Sequence, residues 1–262
     1  MLDPEKLISE LGSFAAPSTI PIESVVDEIK LGSVFVIDAG SILATFTQKL
    51  DSGTSLTQTF RRGDPLGFAE TLSQSPLKMT FKSIEPVSLF KIDGNFVKQT
   101  VEKSGVLAKE IIRYSLARTF GRSRKRPNAL FEDWLLEKYR KDIVRLVFEE
   151  GEFVFHSKSM PDCMFFIEKG EVSLLTENQK TLATLQVTDC FGEASLISTR
   201  KRSVSAVAIK RCTLLKLDAI HVEEEIRSEH PLVQLTVIQL LRRVHLMNQM
   251  RLIESGDMVY QG

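Results

Sequence analysis

The sequence predicts a mainly β protein with flanking helices, built as two copies of one small antiparallel barrel or sandwich. Three observations carry this. The segments "GDPLGFAETLSQSPLKMTFKSIEPVSLFKID" and "TDCFGEASLISTRKRSVSAVAIKRCTLLKLD" superpose without a gap. At that offset of 125 positions Asp64 meets Asp189, Gly67 meets Gly192, Ser73 meets Ser198, Ile84 meets Ile209, Leu89 meets Leu214, Lys91 meets Lys216 and Asp93 meets Asp218. Just upstream, "VFVIDAG" (Val34 to Gly40) answers "MFFIEKG" (Met164 to Gly170) at an offset of 130, the difference being absorbed by a longer hairpin, "TQKLDSGTSLTQ", in the first copy. Each copy then reads as runs of Phe, Val, Ile and Leu broken at short intervals by Gly and Asp turns.

Helices follow the strands in both copies. "NFVKQTVEKSGVLAKEIIRYSLARTF" supplies them in the first, with an interruption near Gly105. In the second, "HPLVQLTVIQLLRRVHLMNQMRLI" opens with Pro231 at a first helical position and spaces Val233, Val237, Leu240, Val244 and Met247 by alternate fours and threes, which predicts one apolar stripe. Between the copies "GRSRKRPNALFEDWLLEKYRKDIVRLVF" is a basic, proline-marked junction followed by a helix. The expected boundary falls near Arg126 and Pro127, giving domains 1–126 and 127–262. The basic run "RSRKRPNA" reads as a solvated linker.

Composition bounds the function. The chain of 262 residues has enough length for two modest cores. Its 34 basic and 34 acidic residues give no global pull toward nucleic acid or an anionic membrane, so electrostatic function has to be local. Cys163, Cys190 and Cys212 form no C-x-x-C pair and read as small buried residues in a reducing compartment. "MLDPEKLISELG" lacks the apolar core of a signal peptide, and no stretch approaches the roughly 18 apolar residues of a membrane span, so a cytoplasmic protein is expected. His156, His221, His230 and His245 show no metal-ligand spacing, and neither G-x-S-x-G nor G-x-x-x-x-G-K-[ST] occurs, so an enzyme is not expected.

The chemistry concentrates in "DCFGEASLISTRKRSVSAVA" (Asp189 to Ala208). "FGEASLIS" is expected to send a strand through a glycine into a short helical turn whose free N–H groups suit an anion. Arg202, nine residues beyond Glu193, can grip two phosphate oxygens at once with its planar fork. Glu193 cannot hold a phosphate, but it can accept from a sugar hydroxyl. Ser203 offers a hydroxyl to the phosphate or to a base edge. The set calls for a sugar with an attached phosphate.

Phe191, Gly192, Glu193, Leu196, Arg202 and Ser203 resemble the phosphate-binding cassette of cyclic nucleotide-binding domains, and "FEEGEFVF" and "MFFIEKGEV" resemble that family's opening strands. The likeness runs from about Phe148 to Met250 and more faintly through the first copy, and it implies two tandem cyclic nucleotide-binding-type β-barrel (jelly-roll) modules. It further implies that the Ala194 amide and the Arg202 guanidinium hold a cyclic phosphate and Glu193 the ribose 2′-hydroxyl, with Met247 and Asn248 of the last helix closing over the base. Two departures stand out: Lys201 sits where the family has proline, and Lys158 where it commonly has glycine. The implied ligand is cAMP ahead of cGMP, with no other cofactor, and the implied readout is a protein partner, or a second copy of the chain, meeting a changed surface. DNA is not an expected partner, because "ESGDMVYQG" after the last helix is too short for a DNA-reading domain.

The first copy loses the chemistry. In register, Phe68 stands where Glu193 is and Leu77 where Arg202 is, while Pro76 keeps the family's proline; a shift by two recovers Glu70 but sets Met79 opposite the arginine. The first module is therefore expected to keep the fold without a nucleotide site. A scaffold or interaction module with no working nucleotide site is the alternative for the whole chain.

Overall fold

The computed structural model describes residues 4–49, 55–83, 85–120, 129–139, 141, 143–193 and 201–254. The expected boundary at Arg126 and Pro127 and most of the basic run lie outside them. The chain divides into two compact units that interleave in sequence. One collects residues 2–112 and 227–240, the other 113–226 and 241–262. A single linear cut at 126/127 therefore does not separate them.

In the first unit, strands β1 (Ala16–Ser18), β2 (Ser33–Ala39), β3 (Ile42–Lys49), β4 (Ser55–Phe60), β5 (Pro65–Leu66), β6 (Met79–Lys82) and β7 (Ser88–Asp93) form two antiparallel sheets, ordered β1-β7-β2-β5 and β4-β3-β6. Helices α1 (Pro4–Ile8), α2 (Ile22–Lys30), α3 (Phe68–Ser73) and α4 (Gly94–Lys103) accompany them, and α5 (Val106–Phe120) starts here. The Asp93 carboxylate caps α4 by accepting from the Asn95 and Phe96 amides at 2.6 and 3.2 Å. The break between α4 and α5 falls at Gly105, as expected.

The second unit repeats the plan. After α6 (Ala129–Lys138), strands β8 (Val144–Phe148), β9 (Phe153–Phe155), β10 (Cys163–Lys169), β11 (Val172–Leu175), β12 (Thr181–Leu185), β13 (Cys190–Phe191), β14 (Ser205–Ala208) and β15 (Cys212–Asp218) form sheets ordered β13-β10-β15-β8 and β12-β11-β14-β9. Helices α7 (Ala219–Arg227) and α8 (Pro231–Glu254) follow, starting 125 positions after α4 and α5. The correspondence reaches irregularities: β2 shifts register against β7 between Ile37 and Ala39, and β10 against β15 between Ile167 and Lys169. One element breaks it. Where β9 lies in the second copy, the first has helix α2.

The apolar runs that mark the repeat are the central strands. Val34 to Ile37 in β2 and Cys163 to Ile167 in β10 are buried throughout, which is why they read as continuous rather than alternating patterns. The core of the second unit gathers Phe165, Ile167, Leu174, Phe191, Ala206 and Leu214 between the two sheets, and the Phe165 and Phe191 rings stack at 5.3 Å. The strands form two separate hydrogen-bonded sheets in each unit rather than one continuous ladder. Cys163, Cys190 and Cys212 are buried and are not joined in a disulfide. Among the described residues no helix is long and apolar enough to cross a membrane.

The expected single stripe on α8 needs correction. Every residue from Leu232 to Leu241 is buried, including Gln234, Thr236 and Gln239, so this half of the helix is enclosed on all faces. The polar side chains that broke the apolar pattern are accommodated by hydrogen bonds: Gln234 Nε2 donates to the Arg227 and Glu229 carbonyls, and the Thr236 hydroxyl to the Leu232 carbonyl.

Candidate functional site

The turn that leads into each cassette is the same object built twice. The Asp189 carboxylate accepts from the Gln186 amide at 2.9 Å, and Ile167 exchanges hydrogen bonds with Thr188 and Asp189. Asp64, Arg61, Gly63 and Ile37 make the matching set in the first copy. The chain then passes through a left-handed glycine, Gly67 at φ 82° and Gly192 at φ 90°. At Gly192 a side chain is excluded by space as well as by backbone strain. A Cβ there would lie 2.6 Å from Arg202 Nη1 and 3.3 Å from the Cys163 carbonyl oxygen.

Beyond Gly192 the second cassette places three charged side chains around one small cavity, lined by Arg118, Phe155, Leu174, Gly192, Glu193, Arg202, Ser203, Val204 and Asn248. It has about 20 Å³ of room, enough for a water or two. Arg202 returns to it because its backbone is pinned: its amide donates to the Ser159 carbonyl at 2.9 Å and its carbonyl accepts from the Lys158 amide at 2.7 Å. Lys158 adopts φ 65°, a left-handed conformation that favours glycine.

The Arg202 guanidinium is 3% exposed. It lies 4.1 Å above the Phe155 ring centroid, Nη1 donates to the Gly192 carbonyl at 2.8 Å, and Nη2 donates to the Cys163 carbonyl at 2.6 Å. Its Nε is buried with no hydrogen-bond partner among the described residues. Burial pulls Arg202 below its ordinary value, against partial offsets from Cys163, Asp162 and Glu193. Burial and the neighbouring Asp162 push the Cys163 thiol up to about 12, so it stands beside the guanidinium as a neutral group.

Glu193, 2% exposed, accepts from Arg118 Nη1 at 3.0 Å through Oε1, while its Oε2 is buried with no partner. Burial alone lowers the Arg118 pKa, but Tyr114 and Glu193 beside it more than offset that and hold it above its ordinary value. The guanidinium also lies 5.0 Å from the Tyr114 ring centroid. Of the side chains that line the cavity two are positive and one negative, and the exposed Asp162 carboxylate, 4.0 Å from Arg202 Nη2, lies outside that lining. The two partnerless atoms, Glu193 Oε2 and Arg202 Nε, are an acceptor and a donor that protein groups leave unsatisfied.

The structure thus brings Gly192, Glu193, Arg202, Ser203 and Asn248 together at the cavity. Phe191 is fully buried in the core and acts as an anchor under the glycine rather than as a wall of the cavity. Ala194 and Leu196 lie outside the described residues, as does most of the short helical turn expected after Glu193. Met247 is half-buried and does not line the cavity, whereas its neighbour Asn248 does, one position round the helix.

Residues 145–229 match the family model described as cyclic nucleotide-binding domain. A curated relative, the cyclic AMP receptor protein of Thermus thermophilus, is 32% identical over 77 residues. That match covers 28% of this chain and 36% of the relative, so the chain spans about a third of the relative's length. The chain resembles a cyclic nucleotide-binding protein. Among solved structures, a cAMP-bound PfPKA-R is 16% identical with a TM-score of 0.39, covering 96% of this chain and 84% of that one. The regulatory subunit of a cAMP-independent protein kinase A from Trypanosoma brucei is 15% identical with a TM-score of 0.38, covering 98% and 87%.

Against this nucleotide-binding pattern, sequence reasoning missed Arg118. It lies 75 positions before Glu193 and ahead of the matched residues, and its helix carries no local signal that its end serves the later cassette. Among the described residues no group of three or more His, Cys, Asp or Glu is arranged to hold a metal ion.

Proposed function

We propose that the chain is a cyclic mononucleotide sensor, built from tandem cyclic nucleotide-binding-type modules of which only the second binds ligand, with cAMP ahead of cGMP and no catalytic step. The single observation that carries this reading is the pair of unsatisfied buried atoms on Glu193 and Arg202 in one net-positive cavity, inside residues that match the nucleotide-binding family. An anionic phosphate answers the guanidinium and a sugar hydroxyl answers the carboxylate oxygen, and the reading needs no catalytic step. The Ala194 amide, Ser203 and Asn248 complete the proposed contacts. Met247 acts as a lid only if α8 turns.

The cavity is too small for a nucleotide as it stands, so binding widens it and draws on the ligand's different affinity for closed and open arrangements. Asn248 lines the cavity from α8, which makes that helix the element a ligand biases. The readout in this proposal is a changed surface met by a protein partner or a second copy of the chain, in the cytoplasm. Titration with cAMP, cGMP and cyclic dinucleotides should give saturable binding for a mononucleotide. Hydrogen exchange with that ligand should slow in residues 191 to 205 and in the helix from 231 to 253. Protection of the cassette with an unchanged helix would remove the sensor role.

The scaffold reading draws on one feature. Both Arg202 Nη atoms are already engaged by the Gly192 and Cys163 carbonyls. In that reading the arginine is a structural clamp between β13 and β10, and no nucleotide binds at any concentration.

A further inference from the structure

We infer that Arg118 is a positioning residue of the second cassette, holding one oxygen of Glu193 so that the other is presented to a ligand hydroxyl; the inference rests on the nucleotide reading above. The ion pair is monodentate. Arg118 Nη1 meets Oε1 at 3.0 Å, and Oε2 of the same carboxylate is buried without a partner. Both residues line the cavity, with the Arg118 side chain 15% exposed and that of Glu193 2%. Burying a carboxylate is costly unless an opposite charge pairs with it. Arg118 supplies the compensating charge, and the nearby Tyr114 ring helps to fix the guanidinium.

Charge balance decides whether Arg118 stays or leaves when ligand arrives. Counting the lining side chains Arg118, Arg202 and Glu193, with the exposed Asp162 4.0 Å from Arg202 left to solvent, the cavity carries one net positive charge and a cyclic phosphate diester brings it to zero. If ligand displaced Arg118, the phosphate would share the cavity with Glu193 against a single guanidinium, leaving one net negative charge in a poorly solvated space. Retention is the favoured arrangement. Arg118 therefore acts through Glu193, on selectivity for the sugar, and the site is incomplete without a residue that precedes residues 145–229.

The test is calorimetry on the full chain with cAMP and 2′-deoxy-cAMP, comparing the parent with Arg118→Ala, Arg118→Gln and Arg118→Lys. The parent should prefer the hydroxylated ligand by about 10- to 100-fold, the range of one hydrogen bond to a charged acceptor. Arg118→Ala and Arg118→Gln should bind cAMP at least about 10-fold more weakly and lose the preference to within about threefold, while Arg118→Lys should recover much of it. The ratio of the two affinities does not depend on the folded fraction, and Arg118→Gln carries the test if the alanine variant does not fold. A preference kept in the neutral variants overturns the inference, and so does tighter cAMP binding, which would make Arg118 a displaced plug. If the parent binds neither ligand while remaining folded, the nucleotide reading itself is wrong and this inference goes with it.

Discussion

The two cassettes share a backbone and differ in what fills it. Both enter through the same aspartate-closed turn and the same left-handed glycine. After Gly67 the first puts Phe68, fully buried, where the second puts Glu193. The Ala69 amide in the short helix α3 donates to Gln239 Oε1 at 3.0 Å, and Gln239 Nε2 donates to the Pro65 carbonyl at 3.0 Å. A carboxamide of the chain itself thus occupies the amide that an anion would need. The first copy also has α2 where the second has β9, so it lacks a counterpart of Phe155, the ring beneath Arg202, and a Cβ at Gly67 would meet Ile29 Cγ1 at 2.8 Å. The same turn therefore forms with either filling, and in the proposed function binding depends on the few side chains that differ between the two. The first cassette still holds a buried hydroxyl, Thr71 Oγ1, without a hydrogen-bond partner among the described residues, so what sets it apart is Phe68 and Leu77 at the positions of the acid and the arginine.

The comparison can be broken most sharply at Arg202. If the second cassette binds through it, Arg202→Ala removes one partner of a desolvated charge pair at a cost of about 2 to 5 kcal/mol, so affinity for the nucleotide should fall by roughly 30- to 3000-fold. Binding unchanged in the folded variant would equate the two cassettes. At Gln239 the expected effect is on stability rather than binding. Gln239→Ala leaves the Ala69 amide and the Pro65 carbonyl unpaired in a buried place, and denaturant unfolding should show a loss of about 2 to 4 kcal/mol with nucleotide affinity close to the parent's. A neutral result would mean that the carboxamide is not what closes the first cassette. The smallest effect is at Lys158, held at φ 65° beside Arg202. Lys158→Gly should relieve backbone strain and raise the melting temperature by a few degrees, for a gain of up to about 1 kcal/mol. The surface pair with Glu177, 2.8 Å long and more than a third exposed on both sides, should subtract little.

Much of this was legible in the chain because it is local. Gly67 and Gly192, the aspartates of the turn and the starts of α4, α5 and α8 follow from short-range pattern and the repeat, while the unusual lysine at 158 stood out only through the family resemblance. Phe68 and Leu77 set the expectation that the first cassette does not bind a nucleotide. What stayed hidden is long-range: Arg118 reaches Glu193 across 75 positions and Gln239 reaches Ala69 across 170. Periodicity says that a helix buries a face, not which sheet it buries it against, and so the stripe on α8 was drawn too narrow. The same limit hid the interleaving, because α5 and α8 each begin in the unit of 2–112 and 227–240 and end in the other. Met247 and Asn248 are adjacent in sequence, and only the helix phase separates the one at the cavity from the one beside it.

The most direct measurement is the stoichiometry of cAMP binding to the full chain by calorimetry. One ligand per chain is the expected result, since the second cassette presents Glu193 and Arg202 while the first has Phe68 and Leu77 in register with them and its Ala69 amide engaged by Gln239. Two ligands per chain would show that the Phe68 and Gln239 cassette still binds, and no binding by folded protein would show that Glu193 and Arg202 do not make a nucleotide site.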